Sequence, residues 1–202
     1  MKKILVLGVG NVLWADEGFG VRAVEALHAA YRFDEQVTLM DGGTQGLALY
    51  PYLMDSSHVL VFDAIEFRLP PTTLKVLRDT EVPVHCSIKI SPHQTTLSEV
   101  LAHAYLLGAE PEKITVIGVQ PERLDDFGGS LCEGVRKRIP EAVALAAEEL
   151  ASWGVSVVKR EEGEAVTPLN AQALMLETYE NERPSEAAAC RIGDERVLSM
   201  RK

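Results

Sequence analysis

The chain has 202 residues, of which 47% are hydrophobic and 25% charged, a composition that predicts one well-buried globular domain plus a tail. Its net charge of −10, with no basic stretch longer than Arg136-Lys137-Arg138, argues against nucleic acid or an anionic membrane as a partner. The cysteines are far apart, and apolar runs fall short of the roughly 20 residues that span a bilayer, so we expect a cytoplasmic protein.

Short β-branched or leucine-rich runs alternate with longer segments of helical period. This alternation is typical of an α/β protein with helices on the faces of a sheet. The runs at 4–7 and 59–62 are apolar throughout, as expected for central parallel strands that are covered on both faces. The predicted strands cover residues 4–8, 37–40, 58–62, 74–77 and 113–119.

Three helices are predicted as well. Residues 20–31 place apolar side chains on one stripe, which indicates a helix packed on the sheet. A second helix is expected to begin at Ser91-Pro92, because serine can cap the first turn and proline fits it. A third is predicted over 131–153, where Gly154 follows as a stop signal.

From Lys159 onward the sequence becomes polar and charged, and its last stretch has little to bury. We therefore predict a domain of residues 1–160 followed by a C-terminal extension of residues 161–202. The extension is expected to be partly helical, because residues 169–179 carry a possible helical stripe, and to be mobile or loosely docked.

A glycine pair, Gly8 and Gly10, follows the first predicted strand and invites comparison with dinucleotide-binding loops. The third glycine of that motif is replaced by Leu13, and Asp16 with Glu17 brings negative charge where a pyrophosphate needs positive potential. Nucleotide binding is therefore disfavoured. Taken alone, the two acids are better explained as caps of the following helix, although one cap needs only one carboxylate.

Three residues that are distant in sequence are predicted to meet at one edge of the sheet. Asp63 ends an apolar strand, where α/β proteins place ligands, although it could equally bond the backbone of the next turn. His93 lies in the first turn of the second predicted helix, where the dipole favours the neutral imidazole that a metal requires. With Glu17 they form a plausible, oxygen-rich and weak ligand set for a divalent metal.

Several short stretches, in this combination and order, resemble the hydrogenase maturation endopeptidases. They are residues 4–11, 16–17 with 20–22, 41–44, 62–64, 89–94 and 117–122. The resemblance spans about the first 160 residues, and the extension beyond Lys159 is longer than most of that family carries. It implies a three-layer α/β sandwich, with a twisted, mostly parallel five-stranded sheet flanked by helices.

The resemblance also implies an activity. Members of the family remove a short C-terminal extension from the [NiFe] hydrogenase large-subunit precursor after nickel insertion. Their nickel-recognition residues carry over onto Glu17, Asp63 and His93, which would act in catalysis through the metal. We expect a monomer that holds little metal at rest, because one imidazole and two carboxylates form a weak site, and we expect nickel to be supplied by the substrate large subunit.

Two further acids, Asp16 and Asp41, match acids of the family, and we place them with Gly42 and Gly43 in a predicted substrate-binding group. The glycines allow backbone to approach an extended substrate closely. Asp41 could pair with the basic residue that precedes the cut in that family. It could also simply cap its own turn.

The sequence contains no Gly-x-Ser-x-Gly nucleophile elbow, and no serine or cysteine stands out with a histidine partner. A metal that polarises the scissile carbonyl or activates water is therefore the simpler mechanism for a peptidase. The alternative is a nickel carrier or assembly chaperone that binds without cutting. Peptide cleavage separates the two hypotheses.

Overall fold

The computed structural model describes residues 2–82 and 110–182, together with Leu101, Ala104 and Leu106. Its strands are β1 (Ile4–Val9), β2 (Tyr31–Arg32), β3 (Val37–Gly43), β4 (His58–Ala64), β5 (Leu74–Arg78), β6 (Lys113–Val119) and β7 (Val158–Lys159). Five of them form a sheet in the order β3-β1-β4-β6-β5, in which β5 runs antiparallel to β6 and the other pairs are parallel. The short strands β2 and β7 form a separate antiparallel pair.

Among the described residues, the helix predicted over 20–31 is confirmed within one residue at each end. The helices are α1 (Phe19–Ala30), α2 (Tyr50–Met54), α3 (Glu133–Arg136), α4 (Ile139–Ser152) and α5 (Leu176–Glu182). The single helix predicted over 131–153 is wrong, because α3 and α4 are separate. Pro140 has no amide hydrogen to continue α3 and instead occupies the first turn of α4. The helix predicted from Ser91 lies outside the described residues.

Both faces of the sheet are covered, which confirms the predicted three-layer arrangement. Ile4, Val6, Leu60 and Phe62 point to the face on which α1 and α4 pack. The alternate side chains of β1 and β4 point to the opposite face and pack against α2. Because successive side chains of a strand alternate between faces, double coverage requires strands that are apolar throughout. The apolar runs of β1 and β4 were therefore a reliable signal.

Glycines at the end of β1 and at the start of α1 allow close packing of the backbone. A Cβ at Gly10, where φ is +137°, would lie 1.8 Å from the carbonyl oxygen of Glu17. Farther along, a Cβ at Gly20 would lie 2.2 Å from the Val9 carbonyl oxygen and 2.3 Å from that of Phe62. Only glycine tolerates such approaches. These positions let the start of α1, and the turn that carries Glu17, sit directly on the ends of β1 and β4.

The first part of the tail is docked along α1. The Arg160 amide donates to the Ala30 carbonyl at 2.9 Å, and the Thr167 carbonyl lies 2.9 Å from Nε2 of His28. Leu169 packs against the core of that face. The extension contains α5, and these contacts hold its first part against α1. Residues 183–202 lie outside the described residues.

Among the parts of the chain that the structure describes, no helix combines the length and apolar character needed to cross a membrane.

Candidate active site at the carboxyl end of the sheet

Glu17 stands in a single 3₁₀ turn, Ala15–Gly18, that links β1 to α1 and contacts β4. The turn begins with Ala15 at φ +41°, a left-handed conformation that is rare for a residue with a side chain. Glu17 is half-buried. The turn therefore places the half-buried Glu17 against the central strand β4.

Asp63 is the penultimate residue of β4 and is 3% exposed. It pairs in register with Gly118 of β6, at the centre of the sheet. The turn that carries Glu17 contacts β4, and Gly20 just after it lies against the Phe62 carbonyl, so Glu17 and Asp63 lie at the same end of the sheet. Acids at such an edge suit the binding of a metal or a polar substrate.

The third predicted ligand, His93, lies outside the described residues. Within those residues, no group of three or more histidine, cysteine, aspartate or glutamate side chains is arranged to hold a metal. The metal site formed by Glu17, Asp63 and His93 therefore remains a prediction.

Asp16 has a different environment from its neighbour Glu17, because its side chain is 0% exposed. Its Oδ2 accepts hydrogen bonds from the amides of Glu122 (2.9 Å) and Arg123 (2.8 Å), and its Oδ1 accepts one from the amide of Cys132 (2.7 Å). The carboxylate thus fastens the segment 122–132 to the turn that carries Glu17. This position favours an anchoring role over the direct substrate contact that the sequence predicted.

Cys132 lies against the same anchor. Burial, followed by the negative charge of Asp16 and a hydrogen bond with it, raises the pKa of the Cys132 thiol to about 11. The thiol is therefore protonated at neutral pH and is a poor nucleophile. Cys86 and Cys190 lie outside the described residues.

Asp41 occupies the carboxyl end of β3, beside Gly8 of β1. Its Oδ1 is buried and has no hydrogen-bond partner among the described residues. Burial raises the pKa of Asp41, against the opposing effects of a hydrogen bond from the Asn170 side chain, the Gly43 backbone and the Arg22 charge. A half-buried carboxylate with an unsatisfied oxygen is suited to receive a donor from a ligand.

Gly42 and Gly43 follow Asp41 and shape the end of β3. Gly43 adopts φ +43°, and its carbonyl accepts a hydrogen bond from the amide of Gly10 at 3.0 Å. The two glycine turns after β1 and β3 are thereby joined, and Gln45 donates to the Asp41 carbonyl at 3.2 Å. Gly42 is buried and Gly43 half-buried, so the predicted close approach to a substrate remains a prediction.

A buried ion pair that the sequence did not reveal lies near Asp41. Arg22 and Glu25, whose side chains are 3% and 7% exposed, meet at 2.9 Å on the first turns of α1. The tail completes the pair, because Asn170 donates to Glu25 at 2.8 Å and the Leu174 carbonyl accepts from Arg22 at 2.5 Å. The i, i+3 spacing of Arg22 and Glu25 was a visible signal, but it gave no indication of burial.

Gln120 is a second residue that sequence reasoning did not select individually. It is 4% exposed and follows β6, and its Oε1 accepts from the amides of Phe67 (2.8 Å) and Leu69 (3.2 Å). Its amide group also donates to Glu66 at 3.1 Å. One side chain therefore fixes the loop that follows Asp63.

Comparison with known proteins gives consistent matches. The family model for hydrogenase maturation protease matches residues 21–149. The hydrogenase expression/formation protein HupD of Rhizobium leguminosarum bv. viciae is 50% identical over 189 residues, covering 93% of this chain and 94% of that protein. The hydrogenase 2 maturation protease of Escherichia coli is 41% identical over 160 residues, covering 79% of this chain and 97% of that protein.

The fold matches as well. The solved structure of the hydrogenase maturating endopeptidase HybD from Escherichia coli superposes with a TM-score of 0.74 at 40% identity. The match covers 78% of this chain and 98% of that one.

Proposed function

Because the chain belongs to the hydrogenase maturation protease family, we propose that it removes the C-terminal extension of a [NiFe] hydrogenase large-subunit precursor after nickel insertion. The observation that carries the proposal is the convergence of Glu17 and Asp63 at the carboxyl end of the sheet, within a family of peptidases. Glu17 is half-buried at this edge, so its carboxylate is accessible to a substrate segment, whereas Asp63 is buried beside it.

Nickel enters this proposal as part of the substrate. Glu17, Asp63 and His93 would complete the coordination of nickel already held by the precursor, and an oxygen-rich set with one imidazole suits transient contact better than permanent storage. Such a metal supplies Lewis-acid polarisation of the scissile carbonyl. The residues of this chain would orient the peptide beside it, so that cleavage reports on nickel loading.

A cysteine nucleophile has little support among the described residues, because the Cys132 thiol is protonated at neutral pH and its neighbour is the anchoring carboxylate of Asp16. The sequence also lacks a nucleophile elbow. These two observations support the metal-assisted mechanism over a serine or cysteine mechanism.

The deciding experiment compares nickel-loaded and nickel-free precursor on a gel, with wild-type protein and the variants Glu17→Gln, Asp63→Asn and His93→Ala. We expect shortening of the nickel-loaded precursor by the wild type, and a loss of about a hundredfold or more in each variant, as when a group that stabilises the transition state is removed. Matched controls are Glu35→Gln and Asp55→Asn, which remove exposed acids at the opposite end of the sheet.

Normal cleavage by all three variants would reject the proposed site. Binding of the nickel-loaded precursor without any shortening would instead favour the nickel carrier or assembly chaperone.

A further inference from the structure

The tail runs along α1 and ends beside the candidate site. From its start at β7, which pairs with β2, it passes His28 and then reaches the buried pair of Arg22 and Glu25. The Arg22 guanidinium also lies 5.8 Å from the centre of the Tyr179 ring. The tail therefore runs from the carboxyl end of α1 towards the turn that carries Glu17.

The last described turns of the tail are fastened to the segment that Asp16 anchors. Glu180 forms an ion pair with Arg136, with one contact of 3.0 Å, and accepts a hydrogen bond from the Ser130 hydroxyl. The Tyr179 hydroxyl donates to the Gly129 carbonyl at 3.3 Å. The segment 122–132 is thus held from inside by Asp16 and from outside by the tail.

That segment presents apolar side chains beside the candidate site. Phe127 and Leu124 are 44% and 38% exposed, and Leu13 on the neighbouring loop is 40% exposed. The Phe127 ring packs at 5.2 Å from the ring of Trp14, three residues before Glu17. Exposed apolar groups next to a peptidase site are suited to contact a polypeptide substrate.

The comparisons indicate that this arrangement is not shared by the whole family. The match with the Escherichia coli hydrogenase 2 maturation protease spans 160 residues and nearly all of that protein, whereas the HupD match covers 93% of this chain. The family model ends at residue 149. The match with the Rhizobium leguminosarum HupD therefore extends into the tail of this chain, whereas nearly the whole Escherichia coli protein is matched over only 160 residues.

We propose that the tail segment 167–180 is a strap that positions the segment 122–132, with its exposed Leu124 and Phe127, for docking of the precursor, and that Glu180 is its main positioning residue. The inference rests on the proposed function for the identity of the partner. The strap acts on binding, because Glu180 contacts Ser130 and Arg136. It leaves Glu17 and Asp63, the acids proposed to engage nickel, in place.

The test is Glu180→Ala compared with Glu177→Ala, which removes an equal charge from an exposed position on the same helix. We expect Glu180→Ala to raise KM for the nickel-loaded precursor about threefold to tenfold with kcat within about twofold, since the interaction lost serves binding alone. Hydrogen exchange of amides 123–132 should accelerate in Glu180→Ala, and Glu177→Ala should resemble the wild type in both measurements. Glu180→Gln, which keeps an acceptor for the Ser130 hydroxyl, should be intermediate.

A fall in kcat with unchanged KM would indicate a general structural role and overturn the inference, as would equal behaviour of the two alanine variants. Anisotropy with fluorescent precursor separates this result from the proposed function. If the wild type binds the precursor without shortening it, the proposed cleavage fails, and weaker binding by Glu180→Ala still supports the strap. If neither protein binds the precursor, the inference is overturned as well.

Discussion

The charged residues at the two ends of the parallel strands differ in their exposure to solvent. At the amino-terminal end, Lys3 and Asp55 form an ion pair of 2.6 Å whose side chains are 56% and 67% exposed. At the carboxyl end, the side chains of Asp16 and Asp63 are 0% and 3% exposed. Water solvates the first pair, whereas the buried acids depend on the protein or on a ligand for their hydrogen bonds.

This difference shows which end of the sheet is specialised. Buried carboxylates add little to stability by themselves, and they are destabilising when their partners are incomplete. Their concentration at the carboxyl end, with the unsatisfied Oδ1 of Asp41, therefore indicates a functional end. The amino-terminal end can tolerate changes that the carboxyl end cannot.

The largest expected effect comes from Asp16→Ala. The change leaves the partly buried amides of Glu122, Arg123 and Cys132 without their acceptor, and an unsatisfied buried amide costs about 1–3 kcal/mol. Because water can reach part of this segment, we expect a loss of about 3–6 kcal/mol in the free energy of unfolding, below the sum for three fully buried amides, measured by urea denaturation.

Its control is Asp55→Ala at the opposite end, which breaks an exposed ion pair and should lose no more than about 1 kcal/mol. Similar losses in the two variants would mean that the two ends do not differ as described.

The second effect concerns the buried pair on α1. Arg22→Met leaves Glu25 as a buried charge without its cationic partner and should lower the free energy of unfolding by about 3 kcal/mol. The double variant Arg22→Met, Glu25→Leu removes both charges and should be more stable than Arg22→Met alone. If the double variant is less stable than Arg22→Met, then the Glu25 carboxylate without its partner does not cost stability in this position.

Much of the fold could be predicted because its signals are local. The apolar runs of β1 and β4 marked central strands, and β6 was predicted with the bounds that the structure shows. Strand ends then placed Asp63 at the correct edge, since parallel strands bring their carboxyl ends together. The break between α3 and α4 was missed because the stripe of apolar residues continues across it, although Pro140 was visible.

The roles of individual acids were harder to predict, because they depend on contacts between distant segments. Asp16 and Glu17 are neighbours in sequence, yet one is buried against amides more than 100 residues away and the other is half-buried at the edge. The docking of the tail likewise depends on contacts of single polar side chains, Asn170 and Glu180, with residues that are distant in sequence. No periodic pattern encodes such contacts.

A third prediction separates function from stability at the carboxyl end. The pKa of Asp41 is raised above its ordinary value of 3.8, chiefly by burial, so ionisation at neutral pH favours the unfolded chain. Asp41→Asn should therefore be at least as stable as the wild type at pH 7, and any advantage should shrink as the pH falls towards 4. Cleavage should nevertheless fall about tenfold to a hundredfold, or shift in position, if Asp41 pairs with a basic substrate residue worth about 1–3 kcal/mol.

Thermal unfolding at several pH values and the product mass check this prediction, with Asp55→Asn as the control. Unchanged rate and product would remove Asp41 from the site. Lower stability of Asp41→Asn at pH 7 would show that its charge is well solvated or paired.

The smallest expected effect is at the amino-terminal end, where His58 is a buried titratable residue, unlike the exposed Lys3 and Asp55. Its ring is buried and edge-on to Trp153 at 5.2 Å, and burial, followed by the nearby charge of Lys2, lowers the pKa of His58 from 6.5. Glu112 and a Ser57 hydrogen bond oppose this shift, and Lys113 adds to it. As the pH falls below 6.5, the unfolded chain takes up the proton before the folded one. The contribution of His58 to the free energy of unfolding is therefore full above that pH and declines below it, by at most about 1.4 kcal/mol per pH unit.

The variant His58→Phe keeps a ring against Trp153 but removes the titrating group, so the slope of unfolding free energy between pH 6.5 and 5 should be shallower in this variant. An unchanged slope would mean that the titration of His58 does not contribute to the acid sensitivity of the protein.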